Sequence, residues 1–230
     1  MVLLLFDIDQ TLVNTGGAGL RALDRACQKL FQVENAMDGI SPHGKTDPAI
    51  VREILRVRLK KPSPSSGEIN TVLEAYLSFL KDEVHLSPTY RVLPGIVSLL
   101  DHLVVHDDAV LGLATGNIEM GGRLKLERGD LNRYFEFGGF GSDAEDRTEL
   151  VRKGAERAAC KKGKAFRPDY TFVIGDTPLD IHAGKRAGFK TVGVATGSYS
   201  VGQLLEAGAT FAVADLEKER DYFLRSTFIA

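Results

Sequence analysis

The apolar positions of this chain follow two rhythms. Five short runs are unbroken by polar residues or nearly so: "VLLLF" (2–6), "AVLGLAT" (109–115), "YTFVIGD" (170–176), "TVGVAT" (191–196) and "FAVAD" (211–215). Runs this short and this apolar read as strands buried on both faces, as in a parallel sheet under helices. Between them the apolar residues recur at helical spacing, over 95–106, 119–132, 148–160, 179–187 and 201–206. Strand alternating with helix predicts an α/β sheet.

Residues 16–87 keep only the helical rhythm. "LRALDRACQKLF", "PAIVREILRVRL" and "EINTVLEAYLSFLKDEV" carry it, and "KKPSPSSGE" (60–68) is a Pro/Ser-rich loop among them. The simplest account is an all-helical insertion after the first strand. Gly and Pro punctuate its borders at "NTGG" (14–17) and "LSPTYRVLPG" (86–95). The expected division is therefore a core of 1–15 and 88–230 and a helical domain of 16–87.

Composition narrows the setting. The chain has 230 residues, 43% of them hydrophobic and 26% charged, with a net charge of −2. That is ordinary for a globular protein and gives no general attraction to nucleic acid or to an anionic membrane. No apolar stretch approaches the ~20 residues of a membrane span. The opening run lacks a basic flank and ends at Asp7, too soon for a signal sequence. Cys27 and Cys160 show neither disulfide nor zinc spacing and are expected to be buried small hydrophobes. The expected setting is a reducing cytoplasm.

The ends of the apolar runs carry the chemistry. In open α/β sheets, ligands sit beyond the carboxyl ends of the strands. The first run delivers Asp7, Asp9 and Thr11, the second Thr115, Gly116 and Asn117, and "FVIGDTPLD" delivers Asp176 and Asp180. Carboxylates gathered on a low-dielectric floor call for a hard divalent cation with oxygen ligands, and Mg²⁺ favours sites that also take phosphate. Side chains alternate in an extended segment, so Asp7 and Asp9 can share a face. In different surroundings they will hold protons differently. One can stay ionised and attack, while the other serves as acid and then base.

"FDIDQTLV", "LATGN" and "VIGDTPLD" together resemble the motifs of the haloacid dehalogenase-like (HAD) hydrolases, in the branch related to phosphoglycolate phosphatases. The resemblance spans essentially the whole chain, the helical insertion included. It implies a Rossmann-like core with an all-α cap and Mg²⁺-dependent hydrolysis of a small phosphorylated metabolite, by a monomer or homodimer. It assigns Asp7 as the nucleophile that forms an aspartyl-phosphate. Asp9 becomes the acid/base, with its backbone carbonyl on Mg²⁺. Thr115, Gly116 and Asn117 would hold the phosphoryl group. Asp176 would bind Mg²⁺, with Asp180 binding it directly or supporting it.

Two positions depart from the pattern. Gln10 stands where this branch usually has Gly, and the Lys-Pro pair of the basic motif is missing. Arg147, just before a helix, is favoured over Lys153 because its planar fork suits a phosphate. Lys45 in "SPHGKTDPAI" could reach the substrate from the cap. A β-phosphoglucomutase-like mutase shares these motifs. A non-catalytic phosphate-binding or phospho-receiver module also uses an acidic pocket, but would be shorter and lack the insertion. His102 and His106 are expected at a solvated helix end.

Overall fold

All five apolar runs form strands within two residues of where their pattern places them. The structure, a computed structural model, describes residues 1–228. Strands β1 (Val2–Phe6), β4 (Ala109–Thr115), β5 (Gly138–Phe140), β6 (Thr171–Gly175), β7 (Lys190–Val194) and β8 (Phe211–Val213) make one sheet in the order β5-β4-β1-β6-β7-β8. Every pairing in it is parallel, with Leu4 opposite Leu111 on one side and Phe172 on the other. All five residues of β1 are buried, as a central strand under two helical layers requires. This is an α/β, Rossmann-like core.

Two apolar clusters fill the two faces of the sheet. Leu4, Phe6, Leu113 and Phe172 pack on one side with Leu99, Leu103 and Phe223 from the helices α4 (Ile96–Val104) and α9 (Arg220–Phe228). Leu3, Leu5, Ala114 and Val173 pack on the other with Leu150 and Val151 of α6 (Arg147–Lys162) and Ala183 of α7 (Pro178–Ala187).

The insertion forms α1 (Ala18–Phe31), α2 (Asp47–Val57) and α3 (Ser66–Leu86). Their apolar stripes meet in a third cluster, with Ala22, Ile54, Val72 and Leu80 fully or almost fully buried. The chain segments entering and leaving this region pair with each other. Val13–Asn14 (β2) runs antiparallel to Arg91–Val92 (β3).

Four details differ from the sequence reading. The helix expected over 119–132 is α5 (Glu119–Glu127), followed by a separate short turn at Asn132–Tyr134. Asp130 between them takes φ 53°, which a continuing helix cannot accommodate. Strand β5 escapes periodicity because three residues, two of them Gly, carry no pattern. The terminal helix α9 has a weak apolar stripe. Cys160 is exposed near the end of α6, whereas Cys27 is buried as expected. His102 and His106 lie at the end of α4 with their rings against each other.

Candidate active site

Three adjacent strands, β4, β1 and β6, end at one place. Asp7 follows β1, Thr115 closes β4 and Asp176 follows β6. The Asp7 amide continues the ladder, donating to Ile174 O at 2.8 Å. Asp7, Asp176 and Asp180 are all buried, and one oxygen from each lies within 4.8 Å of the others. Burial, together with the neighbouring carboxylates, pushes Asp7 up to about 7 and Asp176 up to about 9. A buried all-oxygen set that repels itself fits a hard divalent cation. Asp9 keeps its carboxylate outside this trio.

Asp180 has further partners. Its Oδ2 accepts from Thr177 N and Oγ1, closing a capping box at the start of α7, and its Oδ1 pairs with Arg147 Nη2. The local sequence Thr-Pro-Leu-Asp therefore builds the helix cap and turns one carboxylate inward.

Arg147 is the cation at the site. It is the first residue of α6, behind the Asp146 cap, and only 10% of its side chain is exposed beside the buried carboxylates it faces. Nη2 stands 3.6 Å from Asp7 Oδ1, and Nη1 donates to Gly44 O at 3.1 Å. Its buried Nε has no partner within the protein, a free donor beside the cavity. Lys153 is exposed and bonded to Glu156.

A second knot of charge surrounds Asp9. Its Oδ2 accepts from Lys125 Nζ at 2.7 Å and from Asn117 Nδ2 at 2.8 Å. Asn117 Nδ2 also reaches Thr115 Oγ1 at 2.8 Å, and the Thr115 hydroxyl faces Asp7. Lys125 comes from α5, on the buried stripe of Gly121, Gly122 and Leu126. Burial alone would lower its pKa, but the carboxylates of Asp9 and Asp47 outweigh that and hold it above the ordinary value. Asp47 opens α2, and burial pushes it up to about 6. The sequence reading missed both residues. A lysine in line with glycines and leucine on one helical face was the available signal for Lys125, and a "TDP" helix start was that for Asp47.

The helical region meets the core at this knot. Asp47 Oδ2 accepts from Ile118 N at 2.9 Å, and Asp47 N donates to Gly116 O at 2.8 Å. Gly116 lies so close to the 44–47 loop that a Cβ there would stand 2.3 Å from Lys45 O. Between the two parts lies a cavity of about 190 Å³. Asp7, Asp9, Asn117 and Arg147 line its floor, and Leu20, Leu23, Ile50 and Tyr76 line its roof. Lys45 also borders it, but its ammonium turns to Glu53 Oε2 at 2.5 Å. Gln10 borders it too, at φ 58°. The residues expected at the site thus border one cavity, except Asp180, which lies behind it beside Asp7 and Asp176, and Lys45 is engaged with Glu53.

Comparison with known proteins places the chain in a family. Residues 4–194 match the family model described as "Haloacid dehalogenase-like hydrolase", and the chain belongs to that family of enzymes. A phosphoglycolate phosphatase of Pseudomonas fluorescens (strain Pf0-1) is 25% identical over 221 residues, 94% of this chain and 77% of the relative. A Pseudomonas syringae hydrolase of solved structure superposes with a TM-score of 0.72 at 21% identity, over 98% of this chain and 99% of the other. A Bacteroides vulgatus protein proposed to be a β-phosphoglucomutase superposes with a TM-score of 0.69 at 20% identity, over 99% and 90%. Among the described residues no helix is long and apolar enough to cross a membrane.

Proposed function

We propose that the protein is a Mg²⁺-dependent phosphatase that hydrolyses a small phosphate monoester through a phosphorylated Asp7. The supporting observation is the pairing of two unlike carboxylates one residue apart. Asp7 is buried beside Arg147 and two further acids, and Asp9 is turned toward two nitrogen donors. Asp7 Oδ attacks phosphorus, the bond to the leaving oxygen breaks, and that oxygen takes a proton from Asp9. Water then attacks phosphorus and gives its proton to Asp9, which releases the Asp7 carboxylate and phosphate. Arg147, the Thr115 hydroxyl and the backbone at Gly116–Asn117 hold the phosphoryl oxygens. Asp7, Asp176 and Asp180, with the backbone carbonyl of Asp9, would hold Mg²⁺, which would neutralise charge on the phosphoryl group.

Residues 16–87 serve as a cap that closes over the leaving group and excludes water. Their separate apolar cluster and the paired β2–β3 crossing support that division. The compartment that fits is a reducing cytoplasm, and the protein works as a monomer or homodimer. Phosphate release from a panel of monoesters, with and without Mg²⁺, tests the reading. Product analysis separates it from a mutase, which would return the phosphoryl group to a sugar. Undiminished turnover in excess chelator, or no turnover of any monoester, would refute the reading.

A further inference from the structure

Lys125 is 6% exposed, and an ammonium buried that far is costly unless it is paired and put to use. It makes no hydrogen bond or ion pair with the Asp7 trio. Its hydrogen bond is spent on Asp9 Oδ2, the same oxygen that Asn117 Nδ2 occupies. A carboxylate oxygen has two lone pairs in the plane, and two donors fill them. A proton carried by Asp9 must therefore sit on Oδ1. The Asp9 side chain is 40% exposed and faces the cavity.

The fold brings Lys125 there by two contacts. Gly122, one turn earlier on α5, lets the helix settle on the end of β1, for a Cβ there would stand 2.9 Å from Ile8 Cδ1. Asp47 of the cap accepts the Ile118 amide, which fixes the start of the same helix.

We propose that Lys125 is a positioning residue for the acid/base step: it pins Asp9 through Oδ2, so that Oδ1 passes the proton to the leaving-group oxygen and takes it back from water. This rests on the reading of Asp9 given above. The bonds that form and break are those of phosphoryl transfer to Asp7 and its hydrolysis. Lys125 itself neither gains nor loses a proton.

The test compares leaving groups. An alkyl phosphate needs a proton on its departing oxygen, whereas 4-nitrophenyl phosphate leaves as a stable anion. Lys125→Met keeps the length and loses the charge. At saturating Mg²⁺ it should lower kcat/KM for the alkyl ester by ~10²–10⁴-fold, the scale of lost general acid catalysis. For the aryl ester kcat/KM should fall by less than about tenfold, while kcat and KM fall together because hydrolysis of phosphorylated Asp7 still needs Asp9 as base. Lys125→Gln, which keeps an N–H donor and is safer to fold, should show the same selectivity with a smaller loss. Equal losses on both esters would overturn the proposal and leave the phosphatase reading standing. A loss confined to esters bearing a carboxylate or second phosphate would also overturn it, by making Lys125 a substrate contact. A wild type that hydrolyses no monoester of the panel, these two included, would sink the phosphatase reading itself.

Discussion

Asp7 and Asp9 are separated only by Ile8, yet their surroundings differ. Around Asp7, three buried carboxylates face one guanidinium, that of Arg147. Around Asp9, one ammonium lies in the field of two carboxylates, Asp9 and Asp47, and the Asn117 amide supplies a further donor. The first group is left with excess negative charge, and burial makes that costly, as the raised pKa values of Asp7 and Asp176 record. The second is closer to balance within the protein. A region of the first kind wants an external cation. One of the second kind can handle a proton without one. The difference teaches how one strand end can present two adjacent carboxylates in opposite electrostatic settings, as the proposed nucleophile and acid/base would need.

The comparison breaks first at Asp7. Asp7→Asn should lower turnover by about 10⁴-fold or more, on the scale of other lost nucleophiles, while the fold persists because one repelling charge is gone. Phosphate-release rates and a thermal melt of the same sample check both halves. Activity within tenfold of wild type would remove Asp7 as nucleophile.

Protons and Mg²⁺ should each stabilise the surplus region and compete for it. A carboxyl whose folded pKa is raised stabilises the fold below its unfolded value, and that contribution is lost as pH climbs through the folded one. With Asp47 raised to about 6, Asp7 to about 7 and Asp176 to about 9 from 3.8, the metal-free protein should lose stability as pH rises from about 4 to about 9. Mg²⁺ held at the proposed site would bind the deprotonated oxygens, so it should raise Tm more at pH 8 than at pH 5. At a hundredfold excess over Kd the gain is about 2.7 kcal/mol. A metal-free Tm that climbs over this range, or an equal Mg²⁺ effect at both pH values, would contradict the charge imbalance.

The balanced region is tested at Asp47. Asp47→Ala leaves the Ile118 amide without its acceptor and should cost ~1–3 kcal/mol in denaturant unfolding. Asp47→Asn, which keeps an oxygen for that amide, should cost much less. If the two variants unfold alike, the helical region is not held to α5 by this bond.

The smallest effect is expected at Gln10, in the turn directly after the two acids. It holds φ 58°, a conformation that costs a side-chain-bearing residue ~1–2 kcal/mol. Gly relieves that strain but loses ~0.5–1 kcal/mol to greater freedom in the unfolded chain. Gln10→Gly should therefore stabilise by roughly 0.5–1 kcal/mol. A loss of stability would show that the Gln10 side chain makes contacts worth more than the strain.

The sequence by itself determined the parallel sheet, the helical region between β2 and β3 and the floor of the cavity. Each rests on short-range pattern. Apolar runs alternating with helical stripes name the strands, and the acids placed just after two of them must meet the Thr-Gly-Asn after a third once those strands are neighbours. Arg147 could be ranked above Lys153 because it stands at a helix start, and the structure puts it beside Asp7. The short strand β5 and the α9 helix had too little pattern to be read.

Only the tertiary structure decided which charges pair. Lys125 and Asp9 are 116 residues apart, and Asp47 and Ile118 are 71 apart. No local spacing encodes such contacts. They depend on how closely α5 settles on β1 and how the 44–47 loop meets Gly116. The same distances turned Lys45 toward Glu53, eight residues on, although its place in the chain suggested the substrate. A side chain's type fixes what bonds it can make. The nearest partner in a low-dielectric interior fixes which one it makes, and that partner is supplied by the fold.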